Sequence, residues 1–221
     1  MKKKKLDIIY EDKNILVVNK PSGILTVSTP KEKDRTLFHE VSDYVKKSNP
    51  KVKVFIINRL DKDTSGIVMF AKNQNVKFAY QNRWNDIVLK RRYVAVVNGK
   101  LKEKQGTIKS YLKENKEYMV YSTNDKKNGK LAVTTYSVIK ESNKYSLLNV
   151  NLKTGRKNQI RVHLNDIGNP IVGDKKYGDC KNKKERLMLH AIELEVINPK
   201  TKKKMKFETK LPKEFETFVE K

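Results

Sequence analysis

The stretch Asn58-Arg59-Leu60-Asp61-Lys62-Asp63-Thr64-Ser65-Gly66 sets a carboxylate two residues from a guanidinium and ends in a turn-forming Thr-Ser-Gly. Asp, Thr and Ser suit a turn because they hydrogen-bond nearby backbone, and Gly because it accepts positive φ. A turn has no need of Arg59 beside Asp61. On these residues alone two readings stay open. One is a well-capped turn with a local ion pair; the other is a working carboxylate held rigidly on a loop between buried elements. A second polar, arginine-bearing stretch, Thr154-Gly155-Arg156 through Arg161, opens an amphipathic segment further along.

Other familiar chemistries lack their residues. There is no G-x-x-x-x-G-K-[ST] phosphate loop, no G-x-G-x-x-G after a strand and no G-x-S-x-G elbow. The single cysteine, Cys180, rules out an internal disulfide and has no histidine nearby for a nucleophilic pair. His39, His163 and His190 are widely separated, with no metal-ligand spacing, so neither a metal site nor a cofactor is expected.

The elements that must position these groups follow from hydrophobic periodicity. Val52 to Ile57 and Ile67 to Ala71 are short, β-branched runs on either side of the Asp61 stretch and read as buried strands. Leu6 to Tyr10 and Ile15 to Asn19 read as a hairpin, followed by the turn Lys20-Pro21-Ser22-Gly23, in which Lys20 is taken as solvated. Leu37, Val41, Tyr44 and Val45 form a helical stripe that Asp34 or Thr36 can cap; Asn73 can cap a second helix bearing Val76, Ala79 and Tyr80. Further strands are expected over residues 91–99, 106–112, 132–140, 144–152 and 186–198. The polar span 113–130 is expected to be an exposed hairpin arm. Ile160, His163, Leu164 and Ile167 give helical spacing, with Gly168 as the C-terminal cap. Strands outnumber helices and are joined by short turns. The expected fold is therefore α+β, a mixed, largely antiparallel β-sheet core flanked by helices, in a single domain over residues 1–221.

Charge narrows the partner. Fifty Lys+Arg against 25 Asp+Glu give a formal net charge of +25, which favours a polyanion such as nucleic acid. Most of that charge is Lys, which attracts phosphate without reading sequence. No apolar run approaches the roughly 20 residues of a membrane helix, and Asp7 and Glu11 follow the basic N-terminus too closely for a secretory signal. A cytoplasmic protein with no membrane association is expected.

Taken together, the blocks resemble the RluA family of pseudouridine synthases. Asn58-Arg59-Leu60-Asp61-x-x-Thr64-Ser65-Gly66 is similar to that family's H-R-L-D-x-x-T-S-G signature. Lys20-Pro21-x-Gly23 is similar to its K-P-x-G turn, and Tyr93-x-Ala95 to its K-x-Y-x-A strand, with Arg91 in place of Lys. Thr154-Gly155-Arg156-x-x-Gln159-Ile160-Arg161-x-His163 resembles T-G-R-x-H-Q-I-R-x-H. Gly168-x-Pro170-Ile171-x-Gly173-Asp174-x-x-Tyr177-Gly178 and Leu189-His190-Ala191 match later blocks in order. Asn58 and Asn158 stand where the family usually has His. Many relatives carry a small N-terminal RNA-binding domain; with only Met1 to Lys5 before the first strand, that domain is expected to be missing here.

The resemblance implies isomerisation of uridine to pseudouridine in a structured RNA, rRNA rather than tRNA, by a monomer without a cofactor. It implies that Asp61 is the nucleophile and that Arg161 pairs with it. Tyr93 would pack against the target uracil, Leu189 would supply an apolar wall, and Arg59 would help fill the place of a flipped-out base. A free aspartate has a pKa of about 3.9, so such a nucleophile needs no activating base. Two rival readings remain: a non-catalytic RNA-binding protein, motivated by the charge, and a magnesium-dependent nuclease using Asp61 and Asp63.

Overall fold

The structure, a computed structural model, describes residues 6–30, 32–178 and 185–220. Cys180 and the basic run Lys181–Lys184 lie outside the described residues. In chain order the elements are β1 (Ile8–Glu11), β2 (Ile15–Lys20), α1 (Leu37–Ser48), β3 (Phe55–Ile56), β4 (Ser65–Ala71), α2 (Gln74–Gln81), α3 (Trp84–Ile87), β5 (Val88–Asn98), β6 (Gln105–Glu114), β7 (Val120–Thr123), β8 (Lys130–Glu141), β9 (Tyr145–Leu152), α4 (Gln159–Asp166), β10 (Leu189–Ile197), β11 (Lys204–Glu208) and α5 (Lys213–Thr217). The fold is α+β, a mixed sheet of mostly antiparallel strands with few helices. No helix among the described residues is long and apolar enough to cross a membrane. The chain divides into two compact units, Met1–Lys90 with Ala191–Lys210, and Arg91–His190 with Leu211–Lys221.

In the first unit β4 runs antiparallel to β2, from Ile15↔Ala71 at one end to Lys20↔Gly66 at the other. Alternate residues build one core: Ile15 and Val17, then Ile67, Met69 and Ala71, then Leu194 and Val196, closed by Tyr80, Ile87 and Phe207. Leu16, Val18, Val68 and Phe70 are buried too, so these strands read as continuous apolar runs rather than as an alternation. Thr36 caps α1 by accepting from the His39 N–H, and Asn73 caps α2 by accepting from that of Val76. Such side chains satisfy donors a helix start leaves open. The strand expected over Val52 to Ile57 is shorter: the Val52 N–H turns back to the Asn49 carbonyl, and pairing with β4 begins at Phe55.

The second unit orders its strands β5-β9-β8-β6-β7, every neighbouring pair antiparallel. A bulge between Val138 and Lys140 in β8 takes Ile139 out of register and leaves it exposed. Residues 113–130 form the β6–β7 hairpin and the turn into β8. Tyr118, at φ 61°, marks the hairpin's exposed tip. Its base is buried, with Leu112, Val120, Ala132 and Val162 in one cluster against Tyr177. The Val120 N–H donates to the Tyr177 hydroxyl at 3.1 Å.

The C-terminal helix α5 buries Phe215 against His190, ring centroids 6.2 Å apart. Above them Arg186 stacks on Phe215 and pairs with Glu214. Burial first, and the Arg186 charge second, push His190 from 6.5 down to about 4. Its folded pKa thus lies below the unfolded one, so its neutral form contributes stability fully above about pH 6.5. That contribution is lost as pH falls through the window down to about 4. In urea titrations across this window, His190→Phe should show a flatter pH dependence than the natural protein; identical slopes would refute the assignment.

Candidate active site

Asp61 sits on a loop whose backbone is gripped by the segment 20–26. The Lys20 ammonium is the centre of that grip. It is fully buried and donates to three carbonyls, Pro21 at 2.9 Å, Ile24 at 2.8 Å and Lys62 at 2.8 Å. The sequence reading of Lys20 as solvated is therefore wrong. Lys20 ends β2, so its backbone is fixed by the ladder while its side chain turns into the loop. An ammonium can do this because it has several donors and no acceptor to leave unsatisfied. Around it the Gly23 N–H donates to the Lys62 carbonyl at 3.0 Å, and the Ser22 hydroxyl to that of Asp63 at 2.6 Å. Thr26 Oγ1 donates to the Leu60 carbonyl at 2.7 Å and accepts from the Leu60 N–H at 3.2 Å. The residue before Asp61 and the two after it are thus each hydrogen-bonded to this one turn. Asp61 itself is half-buried and Arg59 exposed.

The two ends of the loop are anchored in the strands. Asn58 Oδ1 accepts from the Met69 N–H at 2.7 Å, and Asn58 Nδ2 donates to the Ile67 carbonyl at 3.4 Å. That continues the β3–β4 pairing where the β3 backbone has left it. At the far end Gly66 has φ +117°, and a Cβ there would lie 2.2 Å from the Ala191 carbonyl oxygen. Only glycine permits that approach of β10 to β4. Thr64, also buried, has a hydroxyl with no partner among the described residues.

The second arginine-bearing stretch behaves as its spacing implied, with a partner the sequence did not disclose. Asn158, at φ 54°, turns the chain into α4, and residues 159–164 are all buried. Arg161 is only 8% exposed and binds Asp174 through both carboxylate oxygens, Nε to Oδ2 at 2.8 Å and Nη2 to Oδ1 at 2.6 Å. Arg161 Nη1 also donates to Asn158 Oδ1 at 3.3 Å, and the guanidinium stacks 5.1 Å from the Tyr177 ring centroid. Burial alone would raise the Asp174 pKa. The hydrogen bond and charge of Arg161, with the Lys176 and Tyr177 N–H groups, outweigh it and hold the carboxyl below its ordinary value.

Two more α4 side chains pin the helix to β8. Gln159 Nε2 donates to the Val133 carbonyl and to Thr134 Oγ1, while its Oε1 accepts from the Thr154 hydroxyl and the Arg156 N–H. His163 lies between Thr134 Oγ1 at 2.8 Å and Ser110 Oγ at 3.0 Å, and burial lowers its pKa, keeping it a neutral bridge. Tyr93 is half-buried in β5 and Leu189 is buried at the start of β10. Asp61 and Arg59 belong to the first unit; Tyr93, Arg161 and Leu189 belong to the second.

Residues 14–166 match the family model described as RNA pseudouridylate synthase. The chain belongs to this family. It is 37% identical over 219 residues to the ribosomal large subunit pseudouridine synthase D of Borreliella burgdorferi, covering 96% of this chain and 67% of that protein. It is 33% identical to the ribosomal large subunit pseudouridine synthase C of Buchnera aphidicola, over 96% of this chain and 69% of the other. Among solved structures, human RNA pseudouridylate synthase domain containing 4 shares the fold at a TM-score of 0.80 and 22% identity, over 97% of this chain and 92% of that one. The RluA-type resemblance and the α+β fold are therefore established. As a pseudouridine synthase the protein is an RNA-modifying isomerase with RNA as its substrate.

Two substitutions test how the two buried cations are held. Lys20→Met should remove the hydrogen bonds to the Pro21, Ile24 and Lys62 carbonyls and destabilise the protein by about 3 kcal/mol. Asp174→Asn keeps shape but removes the charge that Arg161 binds through both carboxylate oxygens, at a cost of about 3 kcal/mol. Urea unfolding reads both; a change below about 1 kcal/mol in either would contradict the corresponding contact.

Proposed function

We propose that Asp61 is the nucleophile of this pseudouridine synthase and that its substrate is a uridine in ribosomal RNA. The observation that carries the first part is the hydrogen-bonded frame around Asp61. A carboxylate held this way enters the reaction without a search over backbone conformers. The second part rests on the relatives named for the ribosomal large subunit.

In the reaction the uridine N1–C1′ bond breaks, the base turns, and C5 joins C1′; the C5 proton is released and N1 ends protonated. Asp61 opens this sequence by adding to C1′ or to the base, and its carboxylate is released again by the time the C5–C1′ bond is complete. Arg161 serves as its guanidinium partner. Asp174 already orients that guanidinium along one edge, and a fork with several N–H donors can serve a second carboxylate. Tyr93 packs on the uracil and Leu189 walls the pocket. The target nucleotide must leave its stack, at a cost of a few kcal/mol. Arg59, exposed beside the nucleophile, offers a planar cation to the bases left behind. We further read the protein as a cytoplasmic monomer, acting without metal or cofactor.

A non-catalytic RNA-binding role, the reading the +25 charge allows by itself, predicts that the carboxylate is dispensable. Tritium release from 5-labelled uridine in rRNA discriminates the two. The natural protein should release it, and Asp61→Asn should lower the rate by at least about a thousandfold, as expected for loss of a nucleophile. Full activity in Asp61→Asn would remove the assignment.

A further inference from the structure

At the end of the first unit away from the Asp61 loop, two turns and a helix converge on a cavity of about 430 Å³. They are the β1–β2 turn at Asn14, one side of α2 from its cap Asn73 to Tyr80, and the β10–β11 turn at Asn198, Pro199 and Lys200. The volume falls in the range of about 300–1,000 Å³ typical of small-molecule sites. Its lining is unusual in chemistry: four carboxamides and an ammonium over the apolar surface of Val76, Ala79, Tyr80 and Pro199.

The fold accounts for only two of those carboxamides. Asn73 caps α2, and Asn198 accepts from the Lys200 and Thr201 N–H groups to close its turn. The side chains of Asn14, half-buried, and Asn75, exposed, make no hydrogen bond with any described residue and are open to an incoming ligand. Asparagine has one of the less favourable helix propensities, so the second position of α2 gives no structural reason for Asn75. A carboxamide offers a donor and an acceptor side by side, the pattern that matches a base edge. Lys200, with Lys202 and Lys203 on the same turn, supplies charge for a phosphate.

Position strengthens the case. Asn14 precedes Ile15, which pairs with Ala71, whereas Lys20, whose ammonium binds the loop at Lys62, pairs with Gly66. At about 3.4 Å per residue the ladder sets the cavity and the loop roughly 17 Å apart. That is about five stacked nucleotides at ~3.4 Å each along a strand.

We propose that this cavity binds an unpaired nucleotide of the substrate RNA, a few positions from the uridine that is isomerised. The Asn14 and Asn75 carboxamides meet the base edge and Lys200 the phosphate. This rests on the RNA substrate given above, and it makes the cavity a determinant of which uridine is chosen rather than of how it reacts.

The test photocrosslinks the full chain to short single-stranded RNA of random sequence carrying 4-thiouridine. It compares the natural protein with the double variant Asn14→Ala, Asn75→Ala and with Ala79→Trp, which fills the cavity from an exposed helix position. Crosslinks are expected in the peptides bearing Asn75 and Lys200, with yield reduced about tenfold in both variants. In the tritium assay on rRNA, KM should rise about tenfold with kcat unchanged. Absence of those crosslinks from the natural protein, or equal yield and equal KM in both variants, overturns the proposal. If uridine or adenosine monophosphate shifts the Asn14 and Asn75 amide signals by NMR while RNA fails to crosslink there, the cavity serves a free nucleotide and the proposal likewise fails. Crosslinks at the cavity in a protein that releases no tritium would support the binding site while refuting the isomerase reading.

Discussion

A buried ammonium organises the first unit. Lys20 carries a full charge into a place with no exposed surface, and three backbone carbonyls receive it. Desolvating a charge is expensive, so this arrangement persists only while the carbonyl cage stays closed. One of the three carbonyls belongs to Lys62, next to Asp61. Loop and turn therefore cannot separate without exposing the cost of that charge. Two sequence blocks that look independent, the K-P-x-G turn and the R-L-D loop, are one hydrogen-bonded object.

Arg161 in the second unit shows the other way to hold a buried cation. Its charge is met by a carboxylate rather than by carbonyl dipoles, and a bidentate pair fixes direction as well as position. Tyr177 adds a stacked face, and it also receives hydrogen bonds from Asn158 and from the Val120 N–H. A single tyrosine thereby links the start of α4, the 170s loop and the base of the β6–β7 hairpin. The lysine donates to several carbonyls of a compact turn; the arginine lays its fork against a carboxylate on a separate loop. The difference follows from the shapes of the two cations.

Elements with local causes were legible in the sequence. The helices α1 and α2 begin where Thr36 and Asn73 stand, because a cap acts within three residues of itself. The strands follow β-branched runs, and the family blocks marked Asp61 and Arg161 as the residues to examine. What stayed hidden depends on pairing across long stretches of chain. Lys20 looks like any of the many surface lysines, since nothing nearby in sequence announces the Lys62 carbonyl. Asp174 lies in a Gly/Pro-punctuated loop, and no periodicity joins it to a helix residue thirteen positions earlier. The β8 bulge at Ile139 is a matter of register, which composition does not encode. Val52 to Val54 read as strand by type, but the Asn49 turn claims the Val52 N–H first.

Asn58 bears on how far such a loop can vary. Because its carboxamide takes over from backbone as the partner of Met69 and Ile67, the main chain is released from the sheet earlier than the hydrogen-bonded edge actually ends. The loop thus gains length without leaving the Ile67 carbonyl and the Met69 N–H of buried β4 unsatisfied. An imidazole, the group in the H-R-L-D signature that this stretch resembles, carries at most one donor and one acceptor when neutral, on separate sides of a rigid ring. A carboxamide presents both from one planar head and can span adjacent rungs. Asparagine at this position is thus a matter of how the backbone of β4 is satisfied beside the Asp61 loop.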